Sequence, residues 1–480
     1  MTRREFISKA FNMTCLSAVS VSMPIFIAST SSLAQANTRR FKALVYIFLA
    51  GGNDSFNMIS PKGNGPLRTR YEDQRRKIAH PANQLNELNL AQSAKIFNNE
   101  SYDAFGMHPA CVDLANMFNG GEMGVICNMG NLVEPTTRQD YLNDSVVLPP
   151  RLFSHADQQR QFQSEPSGQF QYGWGGRVSE MLMSQNLDPD LSPLISVAGL
   201  NPYQVSQSSI LNNLAISNNG EIRLAGNVGK RRDMLSSYMS SYSEHLMSQK
   251  YQDVFNSAQT SNEVLANIFA IAESNGVDYD GIFTVNGAQE TSIGLQLKTV
   301  AKMISGRASY ANNRPIFFVK MDGFDTHKNI LEDHQQLMQD LNNALKAFRD
   351  VLQQQGDWDK VLSFAGSEFG RTFTPNGNDV DAGTDHGWGG HALVMGGMVN
   401  GARFFGTHPD LVIGKGLDVD SRNARGRWIP TTSTSQCSAV IADWFGVPRD
   451  NLTSIFPSLA NFPSPFQAQE NLNFLQNEGA

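Results

Sequence analysis

The run Phe41-Lys42-Ala43-Leu44-Val45-Tyr46-Ile47-Phe48-Leu49 is apolar except at Lys42, and it stops abruptly at Gly51-Gly52-Asn53-Asp54. A strand-length stretch without polar alternation must bury both of its faces, which happens in the centre of a sheet covered on two sides. Comparable runs are Met123 to Cys127, Pro193 to Val197, Pro315 to Met321, Lys360 to Ala365 and Ala392 to Val399. Helical patterns lie between them. The clearest is Asp333 to Gln355, with Leu337, Leu341, Leu345, Phe348 and Leu352 spaced by three and four. This alternation predicts an α/β fold, a three-layer α/β/α sandwich with a mainly parallel central sheet.

The stretch 149–262 is rich in Gln, Ser and Asn and reads as a helical insertion or cap, with one long exposed helix over Arg231 to Phe255. The tail from Phe456 is expected to wrap the surface.

Thr2-Arg3-Arg4-Glu5-Phe6-Ile7-Ser8-Lys9 has the form of a twin-arginine export signature, followed by a weakly apolar stretch and a small-residue site at Ala34-Gln35-Ala36. Residues 1–36 are therefore read as a signal peptide and 37–480 as the mature domain. Its partner during export would be the twin-arginine translocase, and its location periplasmic or secreted. Thr14, Ser17, Ser20 and Ser22 interrupt the apolar run, which argues against a stable membrane span. The formal charge is −7; removing Arg3, Arg4, Lys9 and Glu5 takes away a net +2 and leaves −9. That balance argues against general nucleic-acid binding, which rests on neutralising phosphates. Cys111, Cys127 and Cys437 remain after cleavage, either with a Cys111–Cys127 disulfide or as buried thiols.

Asp322, Asp325, His327, Glu368, Asp385, His386 and His391 crowd the segment from Met321 to His391. Mixed oxygen and nitrogen donors suit a divalent cation. Ligands of open α/β sheets gather beyond the carboxyl ends of the strands. Asp54 follows the first strand, Asp325 and His327 follow Pro315 to Met321, and Glu368 follows Lys360 to Ala365, so these groups are expected at one edge. Simpler roles compete. Asp54 can cap a helix, Glu368 can pair with Arg371, His391 can be a hydrogen-bonded core residue, and His334 reads as solvated.

The chain also resembles a known family. The carriers are Gly51-Gly52-Asn53-Asp54-Ser55, Gly323-Phe324-Asp325-Thr326-His327, Ser367-Glu368-Phe369-Gly370-Arg371-Thr372, Asp385-His386-Gly387-Trp388-Gly389-Gly390 and Arg427-Trp428-Ile429-Pro430-Thr431-Thr432-Ser433. These are similar to the bacterial domain-of-unknown-function family 1501, which looks like a branch of the alkaline phosphatase-like superfamily. The resemblance implies metal ligands among Asp54, Asp325, His327, Glu368, Asp385 and His386. Two mappings stand side by side. Asp385-His386 matches the superfamily's Asp-His pair directly, with His391 as the final ligand. By strand position Glu368-Phe369 holds that place, which puts Phe369 where an imidazole belongs and makes His386 final. Ser154 is the candidate nucleophile, with Arg151 and His155 as anion contacts.

The functional expectation is an exported metal-dependent hydrolase of phosphate or sulfate esters, with Ser154 or water as nucleophile and Arg151 or Arg371 balancing charge. Its cofactor would be zinc, with manganese, calcium or iron as alternatives, and its substrate a small anionic ester. The competing expectation is a non-catalytic periplasmic binding or assembly protein on the same fold.

Overall fold

Each apolar run reads directly onto a strand of the computed structural model. The model describes residues 41–168, 171–208, 211–220, 229–239 and 245–476. The export signature lies outside these residues. Residues from Phe41 onward form one unit. Its strands are β1 (Ala43–Leu49), β2 (Ile59–Pro61), β3 (Asn86–Ile96), β4 (Glu100–Met107), β5 (Met123–Gly130), β6 (Leu194–Ser196), β7 (Leu214–Ala215), β8 (Ile316–Met321), β9 (Val361–Gly366), β10 (Gly390–Met395), β11 (Phe404–Phe405) and β12 (Thr432–Ser433). The main sheet runs β11-β5-β10-β9-β1-β8-β6-β7, with β12 beside β5.

Alternation along β1 shows why both faces are covered. Ala43, Val45, Ile47 and Leu49 enter one apolar cluster, shared with Met338, Leu341, Leu345 and Phe348 of the helix Ile330–Gln354. Leu44, Tyr46 and Phe48 enter a second, shared with Trp174, Val178 and the helix Thr434–Phe445. Two helical layers thus enclose the sheet, as the sequence predicts for an α/β sandwich. No helix among the described residues is long and apolar enough to cross a membrane.

One strand departs from the parallel pattern. β1 pairs in parallel with β8 and β9, whereas β10 is antiparallel to both β9 and β5. The start of β10 therefore lies at the edge where β1, β8 and β9 end.

Other expectations need correction. Within the segment 149–262, the run Pro193 to Val197 supplies β6, and β6 and β7 join the main sheet. The long helix expected over 231–255 is found as two, Gly229–Met239 and Leu246–Ser274. The tail is more than a surface wrap, since Leu472 and Phe474 enter the second apolar cluster. Cys111, Cys127 and Cys437 are buried free thiols. An unforeseen three-stranded antiparallel sheet, β2-β4-β3, lies beside the main one.

Candidate metal centre

Three loops converge at the carboxyl edge of the sheet. Asp325 and His327 follow β8, Glu368 follows β9, Asp385 and His386 precede the reversed β10, and His155 opens the helix His155–Gln163. Gly51, after β1, fixes the approach of the β8 loop. It has φ +120°, and a Cβ there would lie 2.5 Å from the Asp325 backbone nitrogen, so only glycine fits.

The imidazoles share one orientation. His155 Nδ1 lies 2.8 Å from Glu368 Oε1, His327 Nδ1 3.0 Å from Asp385 Oδ1, and His386 Nδ1 2.7 Å from the Phe153 carbonyl. Carboxylates and carbonyls can only accept, so each Nδ1 carries a proton, and a ring with no second proton turns a bare Nε2 inward. Those Nε2 atoms lie 3.4, 3.0 and 3.3 Å from Asp325 Oδ1 for His155, His327 and His386. The His327 and His386 Nε2 atoms are 3.1 Å apart.

Two bare nitrogens at that distance repel, and His155 Nε2 is buried without a hydrogen-bond partner. A cation or a proton must resolve the arrangement. The spacings suit a metal: ligand bonds of about 2.0–2.1 Å in a tetrahedron place neighbouring donors roughly 3.3 Å apart. His155, Asp325 and His386 each offer a ligand atom, all within 4.8 Å of one another. The His327 and Asp325 side chains are 43% and 45% exposed, so the centre is reached from solvent.

The surroundings hold the donors in place. Glu368, fully buried, also accepts from Gly51 N at 2.9 Å and Gln159 Nε2 at 3.0 Å. Arg371 donates to Asp325 Oδ1 at 2.6 Å and to the Gly51 carbonyl at 3.1 Å, and it also binds Thr384. Burial opposes ionisation of Asp325, but Arg371 outweighs it and holds the carboxyl below its ordinary range. Burial likewise opposes ionisation of Asp385, but Arg425 and His327 bring that carboxyl down to about 2. His155 is raised, chiefly by its hydrogen bond to Glu368, and His386 is lowered by burial. Phe369 packs its ring 4.8 Å from His155 and 5.0 Å from His386, walling one side.

The chain belongs to the DUF1501 family. The family model, described as a protein of unknown function, matches residues 41–416. No curated protein matches the sequence. Among solved structures, the chain is similar to a lipoteichoic acid synthase from Listeria monocytogenes, with 8% identity over 81% of this chain and 74% of that one and a TM-score of 0.31. It is also similar to a sulfatase from Pseudoalteromonas, with 10% identity over 79% and 67% of the two chains and a TM-score of 0.30.

In this DUF1501 chain, the residues singled out in the sequence separate into groups. Asp325, His327 and His386 meet face to face. Glu368 and Asp385 stand behind them, each holding a ring by its Nδ1. Asp54 is fully buried and ion-paired with Arg75, which also donates to Asn57 Oδ1 at 3.1 Å and the Phe373 carbonyl at 2.9 Å, and Asp54 Oδ1 is buried without a hydrogen-bond partner. Its helix-capping role is not realised by a side-chain bond either. Ser154 Oγ donates to Asp157 Oδ2 at 2.7 Å, and Arg151, 78% exposed, lies 3.6 Å from Asp157. Arg371 is committed to Asp325 rather than to Glu368. His391 is buried and accepts from Asn128 N at 3.1 Å. His334, expected in solvent, is buried against Asn53 Oδ1 at 2.9 Å. The residue whose role the sequence understated is His155, read there only as an anion contact.

Proposed function

We propose that this chain is an exported metal-dependent hydrolase of phosphate or sulfate esters, periplasmic or secreted, with a single cation held by His155, Asp325 and His386 and with His327 as a fourth donor. The observation that carries the reading is the convergence of three Nε2 atoms on Asp325 Oδ1, one of them buried and unpartnered. A nitrogen-rich donor set favours zinc. A cation there supplies Lewis acidity toward an ester oxygen.

The protein's own groups do the rest. Glu368 and Asp385 fix the protonated Nδ1 of His155 and His327, so the rings present lone pairs without rearranging. Ser154, adjacent to His155, is the proposed nucleophile: its Oγ bonds to phosphorus or sulfur as the bond to the leaving ester oxygen breaks. Asp157, already bonded to its hydroxyl, receives the proton and passes it to that oxygen, and water then hydrolyses the seryl ester. Arg151, next to Asp157, meets the anionic substrate. Arg371 orients Asp325 and is too enclosed to touch substrate. Phe369 keeps water from one side.

Elemental analysis tests the reading directly. The mature protein is expected to carry about one zinc per chain, and His155→Ala or His386→Ala to lose it. Ser154→Ala is expected to keep the zinc and lose hydrolysis of p-nitrophenyl phosphate or sulfate. Less than about a tenth of an equivalent of metal in wild type, from metal-replete cells, refutes the ligand set.

A second reading is favoured by the raised pKa of His155. Protonated between Glu368 and Asp325, it would close a metal-free charge network in a binding or assembly protein. Metal-free wild type with unchanged folding would support that alternative.

A further inference from the structure

A pocket of about 360 Å³ adjoins the metal centre, lined by Arg76, Thr374, Pro375, Asn376, Asn423, Ala424 and Arg425. Its wall holds two guanidinium groups, that of Arg425 already paired with Asp385 and that of Arg76 with no acidic partner, and none of the lining residues is a carboxylate. We infer that it receives a second anionic group of the substrate, a phosphate or sulfate placed away from the bond that is cleaved. This rests on the hydrolase reading above.

Two side chains tie the pocket to the centre. Arg425 reaches Asp385 Oδ2, and the other oxygen of Asp385 lies 3.0 Å from His327 Nδ1. Asn376 Nδ2 donates to the His327 carbonyl at 2.9 Å and to Asp385 Oδ1 at 3.3 Å. The pocket and the metal donors are thus joined by hydrogen bonds through Asp385 and Asn376.

Arg76 is the other cation. It follows the helix Pro66–Arg75 with φ 54° and ψ −126°, a backbone that only glycine adopts freely. Such conformations persist where the surroundings enforce them, often at ligand clamps. Its Nη1 bonds the Asn378 amide oxygen at 2.6 Å, a neutral partner that leaves the charge uncompensated. Guanidinium forks match oxyanions two oxygens at a time. The ester this site fits therefore carries two anionic groups rather than one.

Calorimetric titration tests the pocket apart from the chemistry. Metal-stripped protein is expected to bind inorganic phosphate saturably, with the dissociation constant raised at least about tenfold in Arg76→Glu and in the length-preserving Arg76→Gln. Metal-loaded wild type is expected to bind propanediol bisphosphate at least about tenfold tighter than propanediol monophosphate, an advantage absent from Arg76→Gln. Absence of phosphate binding to stripped protein, or binding unaffected at Arg76, overturns the pocket. Phosphate binding with no advantage for the bisphosphate overturns its role in substrate recognition. Failure of the hydrolase reading would appear separately, as missing metal or turnover with phosphate binding intact.

Discussion

Replacing Glu368 with Gln isolates the role of the carboxylate behind His155. Its Oε1 accepts from Gly51 N, His155 Nδ1 and Gln159 Nε2 at 2.9, 2.8 and 3.0 Å. An amide oxygen can still satisfy Gly51, so the fold should survive. What disappears is the negative charge that keeps Nδ1 protonated and Nε2 free to bind a cation. Loss of a partner of this kind lowers metal affinity by about 10–100-fold, or roughly 1.4–2.7 kcal/mol. Glu368→Ala goes further: it strands the buried Gly51 N–H, at about 1–3 kcal/mol of folding stability. The assay is zinc competition against a chromogenic chelator at constant pH, with thermal denaturation of the metal-stripped variants alongside. A Glu368→Gln protein that holds zinc as tightly as its parent refutes the inward-facing Nε2 argument.

Three further outcomes are expected. Arg75→Met leaves Asp54 charged and buried without a partner, which should lower urea-unfolding stability by about 3–5 kcal/mol while the zinc content stays unchanged; a fall in zinc would return Asp54 to the ligand set. His334 and His408 are buried, and burial depresses both to about 4. Between about pH 6.5 and 4 the unfolded chain binds protons that the folded chain rejects, so stability falls on acidification through that window, by up to roughly 3 kcal/mol per histidine. Urea midpoints measured at intervals across it should show a slope that shrinks in His408→Gln; an unchanged slope contradicts the assignment. Gly51→Ala should lower both melting temperature and zinc affinity, because its Cβ would press on the Asp325 backbone; normal zinc binding would show that the β8 loop tolerates displacement.

The sequence was most legible where one physical demand ruled. β1, β5, β8 and β9 appear as apolar runs because both faces of each are buried, and Leu337 to Leu352 shows helical spacing because one side of its helix meets the sheet. The β3–β4 hairpin was missed. Its turn is made by Asn98 and Asn99 at φ 68° and 62°; β3 is largely exposed and β4 is buried only toward its end, so neither carries a strong apolar signal. The direction of β10 was not readable, since strand polarity depends on what pairs with it. The same limit governs the site. Asp325, His327 and His386 were visible as acid–imidazole motifs, but the pairing of Asp54 with Arg75 spans separate elements. His155 read only as an anion contact beside Ser154, and nothing near it in sequence announced Glu368 as its partner.

The reversal of β10 has one more consequence. Because β9 ends and β10 begins at the same edge, the connection between them, 367–389, never crosses the sheet. Glu368, Arg371, Asn376, Asp385 and His386 all ride on this one span, anchored at both ends in adjacent strands. Lengthening such a loop adds little closure entropy. This one span thus gathers several of the groups at the centre, while His155, Asp325 and His327 reach it from other elements. Glu368 and Arg371 tie the span to Gly51, His155 and Asp325, so a change of length fits best between Arg371 and Asp385, away from both buried anchors.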